Sequence, residues 1–170
     1  MEISLSGIKS SDAVPMVEHL HDKEIYRLTL KIPYPYGLSD ARWFINDNLA
    51  FEQKHKLRKN WAIRNEEETM MGVIGLHYPF GIGSHTNEIG YWLGRKYWGK
   101  GYMTQAVRML CEHVFNEMDI VRLQAITFEN NIASTRVLSK NGFQYEGTLQ
   151  KYYKKDHKLL NGKVYAKIQH

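Results

Sequence analysis

Residues 88–103 read Glu-Ile-Gly-Tyr-Trp-Leu-Gly-Arg-Lys-Tyr-Trp-Gly-Lys-Gly-Tyr-Met and join an apolar strand at 89–93 to a long amphipathic helix starting near Gly99. Gly99 and Gly101 flank Lys100 at the joint. Glycine lets the chain turn tightly and lets a ligand approach the amides. The first amides of a helix have no partner within it and lie at its positive end, which makes an anion site. Spacing alone leaves two readings: glycines that only make a turn, or a turn whose amides meet an anion.

Downstream, Met103, Ala106, Val107, Leu110, Cys111, Val114, Phe115 and Met118 form one apolar stripe at helical spacing, with Gln105, Arg108, Glu112 and Glu117 off it. A further strand is predicted at 123–128. Asn130 or Asn131 can cap a helix that stops at Asn141-Gly142. Residues 143–153 and 164–168 read as a closing strand pair, with Asn161-Gly162 in the turn before the second. Upstream, Ile3, Leu5 and Ile8 suggest a first strand, and Ser10 or Ser11 a cap for a short helix through Leu20. Residues 24–37 are mixed and end in a stiff aromatic loop, and Ser39 opens a helix carrying Ala41, Phe44, Ile45 and Leu49. Trp61-Ala62-Ile63 and 71–76 read as a hairpin around an exposed Glu66-Glu67-Glu68 turn, and 79–85 as a loop. Strands alternate with helices in the middle and pair by hairpins at the ends. This predicts an α/β (α+β) fold with a mixed, mostly antiparallel sheet and helices on its faces.

A chain of 170 residues suffices for one domain with a proper core, so 1–170 is expected to be a single domain. Hydrophobic content of 43% and charged content of 24% exclude a disordered composition. No apolar run is long enough to span a bilayer. The opening Met1-Glu2-Ile3-Ser4 carries neither a basic stretch nor an apolar leader, which predicts a cytoplasmic protein. Cys111 is the sole cysteine, so an internal disulfide is excluded; its place on the apolar stripe predicts a small buried side chain, not a nucleophile. The net charge of +5 admits phosphates or nucleic acid without selecting either.

Three segments, in this order and spacing, resemble the GNAT superfamily of acetyl-CoA-dependent N-acetyltransferases, on the RimJ/RimL-like branch. They are Gly90-Tyr91-Trp92-Leu93 with Trp98-Gly99-Lys100-Gly101-Tyr102; Asn131-Ile132-Ala133-Ser134; and Lys140-Asn141-Gly142-Phe143 with Glu146-Gly147. The match covers roughly 88–166. The resemblance implies a sheet splayed before Gly99, with acetyl-CoA in the opening and no metal. Its pyrophosphate would meet the amides of Gly99, Lys100, Gly101, Tyr102 and Met103, with Trp98 beside them. Its pantetheine arm would pair with the backbone of Trp92 and Leu93, as an added strand does. Lys96 stands where the superfamily often has Gln or Arg; it offers a point charge without the guanidinium fork. Lys100 is the better-placed cation, unless it is a solvated surface lysine.

Acetyl transfer to an amine needs a base to take a proton from the amine and an acid to protonate the leaving thiolate. The resemblance implies Glu88 as base, often acting through water, against the plainer reading of a strand-edge carboxylate paired with a lysine. The superfamily's common tyrosine acid would fall at Leu138 and is missing. The RimL-like branch uses instead a serine aligned with Ser134, and Asn131 would bond the cofactor or order a water. Both residues also suit an ordinary helix start. A second glutamate that some relatives carry after Glu-Gly is absent before Asp156, and Glu146 reads as structural.

Tyr34, Tyr36 and Trp43, with Phe44, are expected on the acceptor side, or else as a packed cap. The implied acceptor is a protein N-terminal α-amine. The rivals are a small amine (polyamine, amino sugar or antibiotic) and, from another class, a basic RNA- or ribosome-binding module carried by Lys151-Tyr152-Tyr153-Lys154-Lys155. No membrane partner is expected, nucleic acid is disfavoured, and a homodimer stays open.

Overall fold

The computed structural model describes residues 2–77 and 85–169. The described strands form one seven-stranded sheet in the order β1-β2-β3-β4-β5-β7-β6, where β1 is Ser4–Ser6, β2 Asn60–Arg64, β3 Met70–Leu76, β4 Thr86–Leu93, β5 Arg122–Phe128, β6 Gln144–Lys155 and β7 Lys158–Ile168. The helices are α1 Ala13–Leu20, α2 Lys23–Leu28, α3 Leu38–His55, α4 Tyr102–Glu117 and α5 Ile132–Lys140. β1–β2, β2–β3, β5–β7 and β6–β7 pair antiparallel, while β4–β5 pair parallel, as the mixed, mostly antiparallel expectation has it. The β4–β5 ladder covers only Thr86, Asn87 and Glu88. Most of the predicted 79–85 loop lies outside the described residues. Among the described residues no helix is long and apolar enough to cross a membrane, and no group of three or more His, Cys, Asp or Glu side chains could hold a metal.

Two compact units divide the chain: Met1–Gly75 with Tyr91–Tyr102, and Leu76–Gly90 with Met103–His170. In the first, Met16 and Leu20 of α1, Ile25 of α2, Ala41 and Ile45 of α3, Ala62 of β2 and Met70 and Val73 of β3 share one core. The start of α1 differs from expectation. Neither Ser10 nor Ser11 caps it: the two serines lie in a 3₁₀ turn, Asp12 takes the N-cap position without a side-chain bond to the helix amides, and its Oδ2 instead accepts from the Lys9 amide at 2.7 Å. Asp12 is also 3% exposed and takes two hydrogen bonds from the buried Arg64 guanidinium, both at 2.9 Å. Arg64 spends its remaining donors on Ser6 Oγ and the Gly7 and Glu68 carbonyls. A carboxylate that neutralises a buried arginine 52 residues away outcompetes a serine that could only cap.

In the second unit β7 is the central strand, pairing with β5 from Arg122↔Ile168 to Phe128↔Gly162 and with β6 on its other side. The turn between β6 and β7 is Asp156-His157, both left-handed at φ 47° and 62°, and not the predicted Asn161-Gly162. Asn161 lies inside β7. Its Oδ1 accepts from the Lys151 amide at 2.9 Å, where Lys151 bulges out of β6 at φ 51°. Gly162 faces Ile126, Tyr152 and Tyr153, so it is packed, not turning. The α4 stripe is buried from Met103 through Val114, with Phe115 and Met118 half-buried. Cys111 is 2% exposed, and burial pushes its thiol up to about 11, consistent with a packing role. The Asn141 side chain ties α5 to α4 through the Thr104 carbonyl at 3.1 Å.

Removing one partner of a buried ion pair leaves the other charge uncompensated, at a cost of about 3–5 kcal/mol. Asp12→Ala should therefore lower the unfolding free energy by about that amount in urea titration, whereas Ser11→Ala should change it by less than about 0.5 kcal/mol.

Candidate active site

At the end of β4 the chain is tied down by main-chain and ring contacts within the first unit. The Gly94 amide donates to the Met71 carbonyl at 2.8 Å, and Trp98 Nε1 donates to the Leu93 carbonyl at 2.7 Å. A single 3₁₀ turn, Arg95–Tyr97, sits between them. Gly99 and Gly101 follow at φ 75° and 82°, both exposed, and α4 begins at Tyr102. A Cβ added at either glycine would meet nothing within 4 Å, so the left-handed backbone, not crowding, demands glycine here. The result is an open turn of amides ahead of a 16-residue helix, with Lys96 and Lys100 exposed beside it. That shape and charge fit a diphosphate. Lys96 Nζ also lies 5.2 Å from the centre of the Tyr97 ring.

Beneath this turn lies His19, a residue the sequence did not single out. It is 6% exposed, its Nε2–H donates to the Met70 carbonyl at 3.0 Å, and its ring lies 5.6 Å from Tyr97 and 6.4 Å from Trp92. Burial lowers its pKa and the nearby Lys96 charge adds to this, against the Met70 bond and Glu18. A neutral imidazole thus supports the strand end.

In the second unit Glu88 lies on the half-buried face of β4, while its neighbours Asn87 and Ile89 are buried. β5 alternates the same way, with Gln124 opposite Glu88. Glu88 Oε2 accepts from Gln124 Nε2 at 3.2 Å, and Oε1 lies 3.1 Å from His77 Nδ1. Where the plainer reading had a lysine, a histidine stands beside the carboxylate. Tyr153 is close enough to feel the Glu88 charge; burial first and that charge second raise its hydroxyl pKa. Glu146 makes a two-pronged ion pair with Arg122, in keeping with a structural role.

Asn131 and Ser134 come together as expected of a helix start: Asn131 Oδ1 accepts the Ser134 amide at 3.1 Å and caps α5. Ser134 is half-buried in the first turn, and Leu138 is fully buried. The aromatic trio does not gather. Tyr36 is a core residue, 5% exposed, its hydroxyl pushed up to about 12 by burial and Asp40, so little of it is left to meet an acceptor. Trp43 is 70% exposed on α3. Tyr34 is half-buried, its ring 5.4 Å from His21 and 5.8 Å from Tyr26.

Residues 2–144 match the family model described as the acetyltransferase (GNAT) domain. The chain belongs to the GNAT acetyltransferase family. Members take the acetyl group from acetyl-CoA, and this GNAT chain is an acetyltransferase of that kind. It is 26% identical to the uncharacterized N-acetyltransferase p20 of Bacillus licheniformis, over 98% of this chain and 93% of that protein. It is 28% identical to the ribosomal-protein-serine acetyltransferase of Escherichia coli K12, over 84% of this chain and 86% of that one. Among solved structures, a GNAT-family acetyltransferase from Bacillus anthracis superposes with a TM-score of 0.87 at 25% identity, covering 99% of this chain and 95% of the other.

The glycine turn generates a paired test. Gly142 ends α5 at φ +80° and, like Gly101 at +82°, has nothing within 4 Å of an added Cβ. Alanine at either position carries the same left-handed strain of about 1–2 kcal/mol. Both variants should melt lower by similar amounts. Only Gly101→Ala should also weaken acetyl-CoA, by roughly tenfold or about 1.4 kcal/mol, in calorimetric titration. Equal affinity in the two variants would remove the turn from the donor site.

Proposed function

We propose that this GNAT enzyme acetylates a protein N-terminal α-amine, with acetyl-CoA bound at the amide turn of residues 99–103 and the backbone of Trp92 and Leu93. The observation that carries the reading is Glu88: a half-buried carboxylate on the strand that leads into the turn, held by Gln124 and His77. The similarity to the E. coli ribosomal-protein-serine acetyltransferase, over most of both chains, supports an α-amine acceptor.

Acetyl-CoA supplies an activated acyl carbon and a thiolate leaving group; the chain's residues supply everything else. Lys100, with Lys96, offers positive charge to the diphosphate. The amides near Trp92 and Leu93 polarise the thioester carbonyl. Trp98 acts at one remove: its indole N–H, bonded to the Leu93 carbonyl, fixes the direction of that strand end. A solvated amine is mostly protonated near neutral pH and cannot attack until it loses a proton. That proton is drawn off at Glu88, by the carboxylate itself or by a group it holds. Ser134 Oγ is the donor to the departing sulfur, and Asn131 sets the helix turn that presents it by capping the Ser134 amide.

Glu88→Gln should bind acetyl-CoA normally and lose roughly two to four decades of kcat/KM at neutral pH, the usual worth of general base catalysis. Raising the pH should recover part of the loss, since more of the amine is then already neutral. Ser134→Ala should lower kcat and leave acetyl-CoA affinity unchanged, because donation matters only as the bond to sulfur breaks. Acetylation assays over peptides with free α-amines, polyamines and aminoglycosides test the acceptor class. Turnover of a polyamine or aminoglycoside with none of any peptide would replace the α-amine by a small-molecule acceptor.

A further inference from the structure

The half-buried face of β4 and β5 holds a chain of three side chains, Gln124–Glu88–His77. Gln124 donates to one carboxylate oxygen at 3.2 Å and His77 Nδ1 lies 3.1 Å from the other. The carboxylate is thus held at both ends. Its side chain is 24% exposed, whereas that of His77 is 50% exposed. The backbone adds a third point of register, the His77 amide donating to the Glu88 carbonyl at 2.9 Å. The far nitrogen of the imidazole has a defined place: a Cβ built at Gly90 would come 3.0 Å from His77 Nε2. Gly90 is two residues beyond Glu88 on the same face of β4, so the ring lies along the strand, with Nδ1 at Glu88 and Nε2 above Gly90.

We infer that His77 is the catalytic base of the acetyl transfer and that Glu88 is its positioning carboxylate. The inference rests on the acetyltransferase reading above and names the atom that takes the proton. A carboxylate bonded to Nδ1–H selects the tautomer whose Nε2 lone pair is open, the logic by which a buried carboxylate orients a histidine base. The chemistry favours imidazole over carboxylate. An ordinary α-amine loses its proton to an ordinary imidazole against a ratio of about twentyfold, and to an ordinary carboxylate against about three-thousandfold. The step balances simply: the ammonium proton of the acceptor passes to Nε2, leaving a neutral amine and an imidazolium that the Glu88 charge stabilises. The half-exposed ring then returns the proton to solvent. Among the described residues, the Gln124 amide bonds the carboxylate, the Tyr153 hydroxyl feels its charge and, two residues before Gln124 on β5, Arg122 is paired with Glu146. Burial holds the Tyr153 hydroxyl above its ordinary pKa, and the Arg122–Glu146 pair is internally neutral.

The experiment compares the parent with His77→Ala and Gly90→Ala, using whichever primary amine the acceptor screen identifies. Failure of α-amine peptides would sink the acceptor proposal and leave this test in place. His77→Ala should lose at least a hundredfold in kcat at pH 7. It should keep its acetyl-CoA affinity, lose the parent's acidic limb, and regain rate when free imidazole is added. Gly90→Ala keeps both partners but pushes a methyl group against Nε2. It should lose about tenfold in kcat with its melting temperature nearly unchanged. Parent-level kcat with the parent's acidic limb, in either folded variant, overturns the inference and returns the proton to Glu88. A loss in His77→Ala that imidazole does not restore, with the acidic limb intact, also overturns it and makes His77 an ion-pair partner only.

Discussion

Three carbonyl oxygens, those of Met70, Met71 and Leu93, fix the end of β4, and the glycine turn that follows depends on that. Met70 takes the His19 ring N–H, Met71 takes the Gly94 amide, and Leu93 takes the Trp98 indole. Each is a directed bond between buried or half-buried groups, where an unmade bond costs more than a made one gains. Together they hold residues 93–98 so that two left-handed glycines can follow with their amides open. Without that anchoring the turn would be one of many loop shapes, and any ligand of its amides would have to order it on binding, at the expense of affinity.

β4 then works as a ruler. Its odd-numbered neighbours Asn87 and Ile89 are buried, and its even-numbered Glu88 and Gly90 turn the other way. One residue of slip would bury the carboxylate and expose the isoleucine. The short parallel ladder with β5 fixes this register at Glu88↔Gln124, where the side-chain chemistry is found. The strand that carries Glu88 is thus also the one whose register is set by pairing at that same residue.

What the sequence made legible was mostly local. The apolar stripe from Met103 to Val114 needed only helical spacing, and Asn131 capped α5 as its chemistry suggests. The glycine turn and its lysines were visible because left-handed backbone has few substitutes. Misreadings came where a distant partner overrode a local signal. Ser10 and Ser11 looked like caps, but Asp12 had Arg64 to neutralise and took the position. Asn161-Gly162 looked like a hairpin turn, yet the Asn side chain was needed at the Lys151 bulge and the glycine beneath Tyr152 and Tyr153. For Tyr36 the sequence left acceptor side and packed cap open, because aromatic loop sequences do not tell a rim from a core; the structure buries it in the core. His77 and His19 left no trace, since each acts through a contact made across strands or between helix and strand.

The Lys151 bulge has a consequence for how copies of the chain behave in a crowd. β6 is the last strand of the sheet, and a flat, evenly spaced outer strand invites another chain to add to it. Here the pairing with β7 breaks register between Leu149 and Tyr153, and Lys151, Lys154 and Lys155 load the same stretch with positive charge. A twisted, like-charged border cannot align with its own image in register. The side-chain bond from Asn161 at the bulge thus belongs to the kind of edge feature that disfavours addition of another strand.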